Sequence, residues 1–460
     1  MAAPTILGTE KIGKLLKMYA VPGIIAQTAA SLYNMVDSIF IGHIPEVGSY
    51  AISGLAVTFP LMNLSVALGT LVGVGSMTMM SVLLGQKNYE QAGKLLSNVL
   101  SLNIIIGGIF TLFTLTFLDP ILRFFGASDN TLPFARDYMI IILLGNIITH
   151  LYFGFNGVIR AAGNPKLAMG LTLFTVISNA ILDPVFIYVL GMGIKGAAIA
   201  TVLCQTMALS YSFRYLSDKK NLLHFPRPIF QLNSRIAKQS MTVGLGPFLM
   251  NSASCIVALF INQQLGRYGG DLAIGSYGII NRITFMFIMI VMGLTQGLQP
   301  IAGYNFGARQ YSRVREVFIL TTKWATLVTT LAFVVSEFLP GPAVSLFTND
   351  PELTENAIHG IRYMNMLIAP VGFCIVVGNF FQCLGMVKTS IFLSLSRQLI
   401  FLVPMIYLLP LWLGQDGVWV SFPISDAVSV LFCLFFIIRL FRKFKKLNDG
   451  DDPSILGGAL

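Results

Sequence analysis

The stretch LLGQKNYEQAG (residues 83–93) returns, altered, as NFGARQYSRVR (residues 305–315). Gly85 aligns with Gly307, a base at Lys87 with one at Arg309, and Tyr89 with Tyr311, all at an offset of 222 residues. A second pair lies further along each copy. GIKGAAIA (193–200) aligns with GQDGVWVS (414–421), Gly193 opposite Gly414 and Gly196 opposite Gly417, at an offset of 221. Glycine-rich likeness alone is weak. A nearly common offset at two separated places implies a duplicated chain.

Composition says what is duplicated. The chain has 460 residues, 55% of them hydrophobic and only 11% charged, with a mean hydropathy of +0.76. These values describe a polytopic membrane protein. One crossing takes about 20 apolar residues as helix. Apolar helices are predicted at 18–41, 50–84, 95–118, 138–159, 167–190, 196–216, 239–264, 272–298, 317–340, 361–384, 389–412 and 417–438. The longest polar link, 217–238, divides these twelve into two sets of six. The expected organisation is an N-terminal bundle (1–216), a cytoplasmic linker (217–238), a C-terminal bundle (239–440) and a disordered tail (441–460) ending in the acidic NDGDDPSILGGAL (448–460). Six spans per copy start both copies on the same side of the membrane, which makes them parallel repeats. Transporters are commonly built this way, with the site at the repeat interface near mid-membrane.

The net charge of +10 could suggest nucleic acid, but the basic residues fall between apolar runs on alternate sides. Of the 30 Lys and Arg, 23 fall on the side of the two termini, five on the opposite side, and Arg282 and Arg397 within spans. The positive-inside rule then places both termini in the cytoplasm. No signal peptide is expected, because the first apolar run is full length and no small-residue cleavage site follows it. The five cysteines (204, 255, 374, 383, 433) lie in apolar runs without CxxC spacing or histidine partners, and read as small core residues. No HExxH, Walker A, GxSxG or helix-opening GxGxxG sequence is present. Enzyme chemistry, a cofactor and a nucleic-acid partner are therefore not expected. Without a nucleotide site, uphill transport must draw on an ion gradient.

Few charges lie deep in the spans: Asp37, Asp183, Arg282, Arg397 and Asp426. Each costs about 2.5–3.5 kcal/mol at mid-helix, and intramembrane ionisable groups are functional by default. Asp183 is the one charge in the 28 residues 167–194. Asn179, four residues earlier, projects from the same helix face. Pro184 has no N–H, which frees the carbonyl of Ala180 one turn back. Carboxylate, amide oxygen and freed carbonyl would form a set of hard oxygen ligands suited to Na⁺ or a proton. Asp37 lies near the outer end of the first span, with Tyr33 and Asn34 on its face. Asp426 could pair with Arg282 or Arg397, a structural network that lowers the cost of burial. His150 reads as a hydrogen-bonded packing residue.

YNMVDSIFIG (33–42), GVIRAAGNPK (157–166), SNAILDPVF (178–186) and GAAIAT (196–201), with two parallel six-helix repeats, resemble the multidrug and toxic compound extrusion (MATE) family. SRQLIFLVPMIYLLP (396–410) and DGVWVSFPISD (416–426) are most similar to the MepA-type group of its DinF-like prokaryotic branch. The resemblance covers about residues 10–445. It implies an all-α polytopic protein of twelve transmembrane helices in two pseudo-symmetric six-helix bundles around a V-shaped cavity. It implies a monomeric antiporter of the bacterial inner membrane that exports drug-like, often cationic compounds in exchange for H⁺ or Na⁺. The coupling cluster of that branch falls on Asp37, Asn179, Asp183 and Thr201, with Tyr33 and Asn34 close by. The NorM-like branch instead uses acids in the seventh and tenth spans, and those spans carry none here. A related lipid-linked oligosaccharide flippase is the alternative. Its anionic cargo would require a basic lining, for which Arg282 and Arg397 are the candidates.

Overall fold

The computed structural model describes residues 6–45, 47–348 and 350–452, and within them every side chain except those of residues 32–36, 39, 48, 49 and 271. All regular structure among these residues is helical. Span 1 is Ile12–Gly42, span 2 Gly48–Gly85 and span 3 Tyr89–Thr116. Span 5 is Pro165–Pro184, continued as a π-helix over Val185–Val189, and span 6 is Ile194–Ser217. Spans 7 and 8 form one helical run, Ser234–Gly307, interrupted at Gly270 where φ is 64°. Span 9 is Tyr311–Phe338 and span 12 is Gln415–Phe444. Among the described residues nine helices are long and apolar enough to cross a bilayer, or ten when Leu132–Leu144 and Asn146–Ala161, bent by 53°, count as span 4. The remaining two predicted spans are span 1, whose helix includes Lys14 and Lys17, and span 10, split into Pro351–Met364 and Val371–Cys383.

The duplication extends to the irregularities. Spans 4 and 10, which are equivalent, are both broken. Spans 5 and 11, the latter Val387–Leu413, both contain a π segment, the second over Ser396–Leu402. The motif at 83–93 has the same backbone as its copy. Lys87 and Arg309 both take positive φ, 58° and 57°, a conformation that L-residues with side chains avoid. Around them Asn88 N bonds Leu83 O at 2.9 Å and Gln310 N bonds Asn305 O at 2.8 Å, the closing bond of a Schellman helix end. Gly193 (φ 55°, ψ −138°) and Gly414 (φ 57°, ψ −136°) match in the same way. Their conformation is open only to glycine, which explains why both copies keep it.

Two compact units emerge, but their borders are not at the linker. Unit 1 is Met1–Thr9 with Ile25–Phe248, and unit 2 is Glu10–Ile24 with Leu249–Leu460. The chain changes unit inside spans 1 and 7. Small residues cause this. A Cβ on Gly297 would lie 2.7 Å from Ala20 N, which holds the start of span 1 on span 8. Close helix approach through glycine is how membrane helices gain contact without a hydrophobic drive. Each unit has its own core, with Tyr138, Ile187 and Ala197 in the first and Trp419, Ile280 and Ile361 in the second. The linker is packed against unit 1. Phe225 sits among Phe155 and Phe213 at centroid distances of 5.7 and 5.2 Å, and Asn233 N bonds Asn98 Oδ1 at 3.0 Å.

The tail departs from its expected disorder through residue 452; residues 453–460 lie outside the described part. Span 9 lacks a side-chain cap of its own at Gln310, whereas span 3 has Asn88 accepting from Gln91 N at 3.2 Å. Asp449 supplies the missing cap, accepting from Ser312 N at 2.9 Å and from the Ser312 hydroxyl. Tyr311 donates to Asp451 O at 2.8 Å, and Arg309 faces Asp452. Burial tends to raise the Asp449 carboxyl, but the bonds from Ser312 and Tyr311 outweigh it and hold it below the usual carboxylate range. Its stabilisation is therefore full above the ordinary carboxylate pKa and lost as pH falls through the lowered one. Asp449→Ala is expected to cost about 1 kcal/mol locally. Limited proteolysis should find the tail released in this variant at neutral pH, and in the parent chain only in acid.

Candidate functional site

Span 5 divides its faces cleanly. Ile177, Ile181 and Val185, spaced by four, are exposed, while Asn179, Asp183 and Ile187 are 2%, 0% and 2% exposed. A four-residue spacing keeps each set on one helix face, so the amide and the carboxylate are carried inward together. Span 6 returns against this face because Gly193 turns the chain and Gly196 permits a close approach. A Cβ on Gly196 would lie 2.7 Å from the carbonyl of Phe186. One turn further, Thr201 Oγ1 accepts from Asn179 Nδ2 at 3.3 Å. Cys204, buried, lies within electrostatic reach of Asp183.

Span 1 brings the second acid. Asp37 is 5% exposed, and its carboxyl lies within hydrogen-bonding reach of that of Asp183. The four residues expected to form the coupling cluster, Asp37, Asn179, Asp183 and Thr201, thus come together in unit 1. The side chains of Tyr33 and Asn34 lie outside the described residues. Ala180 and Pro184 are partly buried beside the cluster. Beyond Pro184 the chain closes a wide turn, Leu190 N to Val185 O at 2.9 Å. Such π segments concentrate at functional sites.

The chemistry follows from the acceptors. Both oxygens of Asp183, Oδ1 of Asp37 and Oδ1 of Asn179 are buried without a hydrogen-bond partner among the described residues. Unpaired buried acceptors are costly, and two carboxylates this close repel when both are ionised. A cation among them, or a proton shared by the two acids, relieves both costs. Carboxylate, amide and hydroxyl oxygens are hard donors that suit Na⁺ or H⁺ rather than a soft transition metal.

In unit 2 the charge network is narrower than expected. Arg397 Nε stands 3.3 Å from Asp426 Oδ1, and Ser425 Oγ donates to Arg397 O at 2.6 Å. Arg282 does not join them. It is exposed and has no ion-pair partner among the described residues. His150 is buried with Nε2 3.0 Å from Ser65 O, in keeping with a packing role.

Sequence reasoning missed Tyr188. Its hydroxyl donates to Phe40 O at 2.7 Å, joining spans 1 and 5 beside the acids. A signal existed: Tyr188 is the one polar side chain between Pro184 and Gly191.

The MatE family model matches residues 22–185 and 244–408, one stretch in each copy. Multidrug export protein MepA of Staphylococcus haemolyticus is 27% identical over 433 residues, 94% of each chain. An FAD transporter of Shewanella oneidensis is also 27% identical, over 94% of this chain and 96% of that one. The solved MATE multidrug transporter DinF-BH is 35% identical over 96% of this chain and 98% of that chain, with a TM-score of 0.88. An outward-facing MATE transporter at 24% identity, covering 97% and 99% of the two chains, superposes with a TM-score of 0.89. With both copies of the repeat matched, the chain belongs to the MatE family, the multidrug and toxic compound extrusion transporters.

Proposed function

We propose that this chain is a secondary antiporter that exports lipophilic, often cationic compounds in exchange for H⁺ or Na⁺. Both termini are cytoplasmic in a bacterial inner membrane. The observation that carries the reading is the buried acid pair Asp37–Asp183 with unpaired acceptor oxygens around it. From the cytoplasm, a cationic compound is favoured while these acids are ionised. From outside, H⁺ or Na⁺ occupies the cluster of Asp37, Asn179, Asp183 and Thr201, neutralises it and releases the compound. Mutual exclusion at one set of carboxylates is enough to couple the fluxes. Expelling a monovalent cation against 100 mV costs about 2.3 kcal/mol. One entering cation cancels that cost, and a pH difference adds about 1.4 kcal/mol per unit.

The exchange reading outranks an anionic cargo because, of the two arginines expected within spans, Arg397 is tied to Asp426 and only Arg282 has no acid partner among the described residues. The test is ethidium accumulation in bacteria lacking their own pumps. Expression of this chain is expected to lower accumulation severalfold and to leave surface glycans unchanged. Unchanged ethidium with altered glycans would favour the flippase instead.

A further inference from the structure

We infer that Tyr188 is the outer latch of the cation site: its bond to the Phe40 carbonyl closes the acid pair from the outside and must open for cations to exchange there. The inference rests on the antiport reading and its topology.

Spans 1 and 5 run in the same direction, from cytoplasm to outside. Phe40 follows Asp37 by three residues, and Tyr188 follows Asp183 by five. At 1.5 Å per residue both stand roughly 5–8 Å outward of the acids. The Phe40–Tyr188 contact therefore lies across the outer approach to the pair.

Local structure explains why these two groups meet. Phe40 is in the last turn of a helix that ends at Gly42, where carbonyls lack a donor four residues ahead. Its carbonyl takes His43 N at 3.2 Å and keeps a lone pair for Tyr188. In a regular α-helix Tyr188 would stand about 140° around the axis from Asp183. The π segment after Pro184 turns less per residue, swinging Tyr188 back towards the face of Asp183 while Ile187 stays anchored in the core. The two rings meet edge to face, with centroids 6.4 Å apart and planes at 78°. Tyr188 remains 37% exposed, as a latch on the rim of a site requires. It does not touch the cation; it is a positioning residue whose hydroxyl holds two site-bearing helices together.

Cys204 is a built-in reporter, buried on span 6 within electrostatic reach of Asp183. In a chain with Cys255, Cys374, Cys383 and Cys433 replaced by serine, labelling of Cys204 by an impermeant methanethiosulfonate reports access to the acids. Tyr188→Phe keeps the ring and removes the bond. It is expected to speed labelling from outside about fivefold, the effect of one neutral hydrogen bond on a local opening. Labelling from the cytoplasmic side of inverted vesicles should not change. Equal rates from outside in parent and variant, or an equal increase from both sides, would overturn the latch. Export by Asp183→Asn is measured in parallel. If that variant exports normally, the antiport reading fails. If it does not export but Tyr188→Phe leaves labelling unchanged, the latch alone fails.

Discussion

Asp183→Asn is expected to abolish ion-coupled export while leaving the protein folded. The substitution keeps the shape of the side chain and removes one of the two charges that would hold the cation. Losing one partner of a buried charge pair costs roughly 3–5 kcal/mol, or about 10²–10⁴-fold in cation affinity. The fold is not expected to suffer. Asp183 and Asp37 lie within hydrogen-bonding reach, so removing one charge relieves repulsion in the empty site. Expression and thermal melting should equal or exceed those of the parent chain. Efflux of a fluorescent cation from pump-deficient cells measures the first effect, and fluorescence-detected size exclusion the second. Full export by this variant would remove Asp183 from the mechanism.

Gly244→Ala is expected to have the largest effect on stability. A Cβ at this position would lie 1.8 Å from the carbonyl oxygen of Leu71 and 2.6 Å from its carbon. The reciprocal position, Gly75, would place one 2.0 Å from Ser240 O. Between them Ser76 and Ser240 share a hydrogen bond of 2.8 Å. These are backbone contacts, so no rotamer change makes room and span 7 must move away from span 2. Over-packing of an ordinary core costs typically 1–3 kcal/mol. Here the loss should be at least about 3 kcal/mol, because the helix crossing itself is broken. Gly278→Ala is the control, since a Cβ there meets no atom within 4 Å. If Gly244→Ala melted together with Gly278→Ala, the close crossing would not exist in the membrane.

Much of this fold was legible because a bilayer leaves few choices. Ten of the predicted spans fall on continuous helical runs and the fourth and tenth on broken helix pairs, and the repeat returns in matching backbone angles at Lys87/Arg309 and Gly193/Gly414. The acid cluster was legible too. Asn179 and Asp183 share a helix face by spacing, and the family resemblance added Thr201. The borders of the units were not, because they depend on which small residues meet. The polar link at 217–238 marks the loop, but the close approaches of Gly297 and Gly75 decide where spans 1 and 7 pack. The tail was misread from composition. Asp449 and Asp452 look like solvated acids in sequence, yet they meet an uncapped helix start and Arg309. Tyr188 was overlooked because α-helical periodicity places it away from Asp183, and only the π turn brings it back.

The central claim is that the fluxes of a compound and a small cation meet at Asp37 and Asp183. The most direct measurement is transport of a fluorescent organic cation in vesicles containing only this protein, with Na⁺ and pH gradients imposed separately. The account predicts movement driven by at least one of the two gradients, opposite in direction to the ion, and absent in Asp37→Asn and Asp183→Asn. Gradient-driven transport that persists undiminished in both variants would contradict it.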